Sequence, residues 1–312
     1  MNIQENVKLN NFTTFKIGGN AHYYVEVRTE VELREVFAWI DEEKLKWVVI
    51  AGGSNVLMNS NIFDGVLIRI LNNDIIVRGD RIECGAGAIL SKALTMAMKE
   101  SLTGLEWSAG IPGSVGGAIR GNAGSFSCQI SDVVEVIEVY NLEKGKMETL
   151  SNKDCKFAYR DSVYKEQNSK YIIWKVFLKL KKGDSVEMQG LISKYMEYKI
   201  KMQPKLPNAG SIFKNIDADE LKEQNLQLYN MAIEQGITIH ANGIGAGWII
   251  DKLDLKGKKI GGAKISLEHA NFIVNTGEAT AEDVVMLVSF IKQKVRDRYK
   301  IQLHEEIQYL GF

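Results

Sequence analysis

Apolar positions in the first half of the chain come in short, closely spaced runs. KWVVIAGGSN (46–55) reads as a buried strand running into a glycine turn. GVLIRI (65–70), DIIVRG (74–79) and DRIECGAG (80–87) follow as further short strands. Strands this short, punctuated by Gly and Asn-Asp, favour an α+β arrangement over regular βα units. The first helix the pattern predicts is AILSKALTMAMKESL (88–102), where Leu90, Leu94, Ala97 and Met98 recur at helical spacing. VVEVIEVYN (133–141) and KYIIWKVFLKL (170–180) read again as strands.

The character changes near Lys181–Asp184. DSVEMQGLISKYMEYKIKMQ (184–203) predicts a helix that stops before Pro204. The loop 203–211 holds two of the three prolines. Beyond it, GAGWIIDKL (245–253) predicts a helix and NFIVNTG (271–277) a strand. TAEDVVMLVSFIKQKVRDRYK (280–300) is the clearest helix. Thr280 and Asp283 form a capping box, and Val284, Leu287, Val288 and Ile291 form a buried stripe. IQLHEEIQYLG (301–311) predicts a closing strand. A domain boundary is therefore expected at about 182.

Composition narrows the class. The 312 residues are 45% hydrophobic and 25% charged, with 39 basic and 39 acidic side chains. That balance gives no argument for a nucleic-acid or membrane partner. Cys84, Cys128 and Cys155 are widely spaced, without a CxxC pair. His22, His240, His269 and His304 are scattered, so neither a disulfide framework nor a metal site is expected. The start has no leader-like pattern, and no apolar run reaches membrane-span length. The expectation is a cytoplasmic globular protein of two domains of ordinary size.

Chemistry is concentrated in glycine. AGIPGSVGGAIRGNAG (109–124) has glycine at six of sixteen positions. Apolar Ile111, Val115, Ala118 and Ile119 are interspersed, unlike a flexible linker. A second turn, AGGSNVL (51–57), leaves a strand, with Gly52 and Gly53 followed by Ser54 and Asn55. Neither turn is a P-loop or a dinucleotide GxGxxG, and GAGAIL (85–90) only approaches the latter. Each alone could be a tight turn. Together they point to a diphosphate gripped by backbone N–H groups.

Six blocks carry a resemblance to the UDP-N-acetylenolpyruvoylglucosamine reductase family. They are NNFTTFKIGGNA (10–21), AGGSN, AGIPGSVGGAIRGNAG, FAYRDSVYK (157–165), QPKLPNAGSIFKN (203–215) and AGWIIDKLDLKGKKIGGAKISLEHANFIVN (246–275). The resemblance implies an α+β fold: a two-part FAD-binding domain of the vanillyl-alcohol-oxidase type, then an α+β substrate domain. On this sequence that means 1–182 (parts of about 1–60 and 61–182), 183–300, and a C-terminal strand 301–312. It implies non-covalent FAD along Gly52, Gly53, Ser54, Asn55, Gly113, Ser114, Gly116, Gly117 and Ala118.

The resemblance also implies NADPH as co-substrate and reduction of an enolpyruvyl sugar nucleotide to UDP-N-acetylmuramate. Hydride passes from flavin N5 to the vinyl carbon, and an enolate develops. Arg160 in FAYRDS matches the arginine that stabilises it; a guanidinium forks onto a carboxylate. Ser211 in AGSIFKN matches the proton donor. Glu306 matches the catalytic glutamate, because Glu306-Ile307-Gln308-Tyr309-Leu310-Gly311 fits the family pattern and Glu305 does not. Gln308 departs from the basic residue expected there. Lys214 and Asn215 match residues near the substrate, and His269 reads as structural.

Only one helix (184–203) separates the strand at 170–180 from the proline loop. That matches the shorter subclass, without the insertion carrying a nucleotide-covering tyrosine, so Tyr195 and Tyr198 do not take that role. Other readings are an oxidase on the same flavin fold or a non-catalytic flavin-binding module. No histidine lies beside either glycine turn, against a covalent flavin link there. The neutral charge balance suits a monomer.

Overall fold

The computed structural model describes residues 1–166, 170–237, 239 and 243–312. His240 lies outside them. The chain forms two compact units: residues 1–7, 21–52 and 64–201, and residues 8–20, 53–63 and 202–312. No described helix is long and apolar enough to cross a membrane.

Besides two-stranded ribbons of Gly124–Ser125 with Cys128–Gln129 and Leu102–Thr103 with Lys181–Lys182, the first unit holds two larger sheets. In one, the strands run in the order Ile3–Lys8, Asn20–Val27, Phe63–Ile70, Trp47–Ile50, the last two parallel. The other has five antiparallel strands in the order Lys146–Ser151, Val134–Asn141, Tyr171–Lys179, Arg81–Gly85, Ile75–Arg78. Apolar faces of both sheets share one core with three helices, Glu30–Glu42, Leu90–Lys99 and Val115–Arg120.

The helix Glu30–Glu42 and the strand Ile3–Lys8 are additions to the sequence reading. The helix carries a full capping box at Thr29 and Glu32, and it buries Leu33, Val36, Phe37 and Ile40. Helix Ser185–Met202 stops two residues before Pro204, which cannot continue the backbone ladder. It belongs to the first unit through Lys201, and the composition change near 182 lies just before it.

The second unit is a four-stranded sheet, in the order Asn208–Ser211, Phe272–Asn275, Ala263–Ile265, Lys259–Ile260. Its core includes Val284, Leu287, Val288 and Ile291 of helix Ala281–Tyr299, so the predicted stripe is the buried face. Thr280 and Asp283 cap that helix reciprocally.

The closing strand is much shorter than the alternation at 301–311 predicts. Gln308–Leu310 pairs parallel to Val56–Met58, and before it Glu305 forms an isolated antiparallel bridge with Phe213. Ile301, Leu303 and Ile307 are buried. Their apolar packing is accompanied by one bridge and a three-residue pairing rather than by a continuous ladder.

Candidate functional site

In the first unit the two glycine turns approach each other closely. A Cβ on Gly52 would stand 2.6 Å from the Cα of Gly113, so no side chain fits there. Gly113 has φ +118°, a conformation that side chains rarely adopt. Gly116 packs on Ala86, where a Cβ would lie 2.9 Å from the Ala86 carbonyl oxygen.

The backbone donors of this stretch divide into two sets. Val115 N–H donates to Ala88 O at 2.8 Å and Gly116 N–H to Ala86 O at 2.8 Å. Gly117 N–H donates to Ser114 Oγ at 3.2 Å, and Ala118 N–H to Ser114 O at 2.9 Å. These four are therefore committed within the chain. The N–H groups of Gly52, Gly113 and Ser114 donate to no other group among the described residues.

Arg160 sits on a turn in which Ala158 and Asp161 exchange both backbone hydrogen bonds at 3.1 Å. It occupies the position of positive φ, +54°, where glycine usually stands. A left-handed non-glycine residue costs roughly 1–2 kcal/mol. Strain of this kind concentrates at functional sites. Contacts on both the side chain and the carbonyl hold the conformation. Arg160 Nη2 donates to Gly124 O at 2.7 Å, and Lys165 Nζ donates to Arg160 O at 2.5 Å. The guanidinium also lies 5.2 Å from the centre of the Tyr159 ring.

Asn122 supports the same turn. It is fully enclosed, has φ +40°, and donates through Nδ2 to Ala158 O at 2.9 Å and Gln129 Oε1 at 3.0 Å. Its signal in the sequence was only its place in GNAG. Arg120 is half-buried close by, and desolvation pushes its guanidinium down, partly opposed by Asp161.

In the second unit, Ser211 ends the strand Asn208–Ser211 just after a bulge. Asn208 pairs with Val274 and Ser211 with Phe272, so Ala209 and Gly210 together face Ile273. Gly210 supplies the required positive φ, +79°. The Ser211 hydroxyl has no hydrogen bond to another described group. Beyond it the chain is pinned by buried Asn271. Asn271 accepts from Phe213 N–H at 2.9 Å and donates back to Phe213 O at 2.9 Å. Nothing in NFIVN marks Asn271 in advance.

Glu306 lies beside this strand end. Its N–H donates to Ile212 O at 2.7 Å, and Asn55 Nδ2 donates to the Glu306 carbonyl at 3.2 Å. Gln308 N–H donates to Asn55 O at 3.0 Å. Lys214 N–H donates to His304 O at 2.9 Å. Glu305 instead pairs with Lys292 at 2.8 Å. Gly53 turns here with φ +59°, and its carbonyl accepts from Thr14 N–H at 3.1 Å. Ser211, Lys214, Asn55 and Glu306 are thus gathered in one unit, together with Gly53, Ser54 and Asn215. Arg160, Gly52, Gly113, Ser114, Gly116, Gly117 and Ala118 belong to the other.

His269 is a packing residue. Its Nδ1 accepts from Asn271 N–H at 3.2 Å, and a Cβ on Gly247 would lie 2.7 Å from its ring. Burial pushes its pKa down, helped by Lys256 and opposed by Asp251.

Comparison with known proteins places these features in a class. A model described as "FAD binding domain" matches residues 21–151, which defines a flavoprotein. A second, described as "UDP-N-acetylenolpyruvoylglucosamine reductase, C-terminal domain", matches residues 203–310. Reductases of that name from Carboxydothermus hydrogenoformans and Anoxybacillus flavithermus are 36% and 35% identical to the chain. In both cases the match covers 99% of this chain and 94% of the relative. The crystal structure of UDP-N-acetylenolpyruvylglucosamine reductase from Thermus caldophilus superposes with a TM-score of 0.78 at 30% identity, covering 99% of each chain. The chain belongs to the UDP-N-acetylenolpyruvoylglucosamine reductase family, FAD-dependent oxidoreductases of peptidoglycan synthesis. The α+β fold expected from the sequence is the fold observed.

Proposed function

We propose that the protein reduces UDP-N-acetylglucosamine enolpyruvate to UDP-N-acetylmuramate, with NADPH as reductant, as a cytoplasmic monomer of the shorter subclass. FAD, when bound, supplies the hydride that reaches the vinyl carbon of the substrate. The chain's own residues bind, orient and deliver the proton.

The bare backbone of Gly52 and Gly113 and the uncommitted N–H groups of Gly52, Gly113 and Ser114 fit a diphosphate. Gly116, Gly117 and Ala118 contribute differently. Their N–H groups are committed, so they offer close approach rather than donors. Gly53, Ser54 and Asn55 continue the first turn.

Arg160 binds the substrate carboxylate, on which negative charge grows as the enolate forms. An arginine anchored through one guanidinium nitrogen and its own backbone carbonyl meets that charge with little reorganisation. Ser211 gives a proton to the enolate carbon. Glu306 stabilises the same charge from the neighbouring backbone, and Lys214 and Asn215 contact the substrate. The observation that carries this reading is the Glu306 N–H to Ile212 O bond of 2.7 Å, which holds the glutamate beside the serine strand.

The test is product identity. Incubation with the enolpyruvyl sugar nucleotide and NADPH is expected to yield a species heavier by two hydrogens in mass spectrometry. NADPH consumed without that species would contradict the reading.

A further inference from the structure

Helix Ser185–Met202 buries only two side chains, Met188 and Lys199. A buried lysine is rare unless its ammonium is satisfied. Lys199 is 7% exposed, and Nζ donates to Ala109 O at 2.6 Å and to Trp107 O at 3.2 Å. Its ammonium also lies 5.5 Å from the centre of the Phe126 ring. Burial pushes its pKa down to about 8.

Those carbonyls open the glycine stretch. Glu106–Ser108 is a short 3-10 turn, and Ile111 N–H closes onto Ser108 O at 2.9 Å. Gly110 then turns with φ +74°. A Cβ there would meet Met196 Sδ at 3.0 Å and Lys199 Cδ at 3.3 Å. The helix therefore presses directly on the backbone three to six residues before Gly113.

The same helix face grips a second loop. Phe126 stacks on Tyr195 with ring centres 4.0 Å apart. Phe126 and Ser127 both have positive φ, +53° and +62°. Gly124, two residues earlier, accepts the Arg160 bond. One helix turn thus braces the course of 107–113 and the loop that carries the arginine's partner.

We propose that Lys199 is a positioning residue for the flavin: its clamp on the Trp107 and Ala109 carbonyls sets the path of the backbone leading into Gly113 and Ser114. This rests on the reading of that stretch as the diphosphate cradle. Without the ammonium, two inward carbonyls lose their donor and the segment relaxes away from the path it now takes. The conservative replacement Lys199→Arg keeps charge and donors for both carbonyls.

The test is titration of deflavinated protein with FAD, read by quenching of flavin fluorescence and by the visible band. Lys199→Met is expected to weaken FAD binding about tenfold or more and to move the visible band, from the loss of a buried charged donor. Lys199→Arg is expected to recover most of the affinity. Lys199→Gln, with a shorter amide donor, is the second variant if the methionine form does not fold, and an intermediate loss is expected. Wild-type affinity and spectrum in Lys199→Met, or in Lys199→Gln where that form is used, would overturn the proposal, even with a lowered apo-protein melting temperature. Gly113→Val separates the two readings. If it loses FAD while the Lys199 variants do not, the cradle stands and the clamp fails; if it keeps wild-type affinity, both fail.

Discussion

Glu306 and Ile212 are joined by a backbone hydrogen bond of 2.7 Å, so a residue near the end of the chain is locked to the one that follows Ser211. The lock is main chain to main chain and does not use the carboxylate. Glu306→Gln is therefore expected to fold normally and to lose activity. Glu305 is engaged with Lys292 at 2.8 Å, and Glu305→Gln is expected to keep most of its turnover. Steady-state kinetics on the pair separates the two glutamates. Equal losses in both would contradict the assignment.

Ser211 follows a bulge that fixes its position independently of its side chain. Ser211→Ala is expected to bind FAD and to accept electrons from NADPH as wild type does. Reaction of the reduced protein with substrate should slow by roughly 10²–10⁴-fold, the usual range for a lost proton donor. Stopped-flow absorbance resolves the two halves, and an unchanged second half would remove serine from the mechanism.

Arg160 is held in a strained turn by bonds at both ends of the residue. Arg160→Lys keeps the charge but loses the planar fork. A loss of about 10²-fold in kcat is expected, with FAD affinity unchanged. Arg160→Gly should stabilise the turn, since glycine accepts the left-handed conformation without penalty. A melting temperature lower than wild type in Arg160→Gly would show that its side-chain contacts outweigh the strain.

His269 gives stability a pH dependence of known sign. Burial, aided by Lys256, holds its folded pKa below the ordinary histidine value. The unfolded chain therefore takes up a proton that the folded chain resists. The contribution is complete above the ordinary histidine range and is lost as pH falls through it toward the folded value. Urea melts at about pH 7.5 and about pH 5.5 should show this loss in wild type and a smaller one in His269→Gln.

Much of this was legible in the sequence because periodicity reports burial. Val284, Leu287, Val288 and Ile291 are all enclosed, as their spacing requires. The glycine turns were legible because bare backbone has few other uses. Lys199 was not. KYMEYKIKMQ holds several lysines with the look of a solvated helix face, and only the packing shows which one turns inward. Asn122 and Asn271 were hidden for a related reason: a buried amide that stitches loops leaves no spacing pattern. The closing segment misled because alternation marks buried apolar positions, and here they meet their neighbours through one isolated bridge and a three-residue pairing rather than a continuous strand.

The central claim is that reduced flavin in this protein passes its electrons to an enolpyruvyl sugar nucleotide. Its most direct test is anaerobic and visible. The purified flavoprotein is bleached with one equivalent of NADPH, and UDP-N-acetylglucosamine enolpyruvate is then added. Rapid return of the oxidised flavin band is the predicted result. A protein that bleaches and stays bleached would contradict the account and assign its electrons to another acceptor.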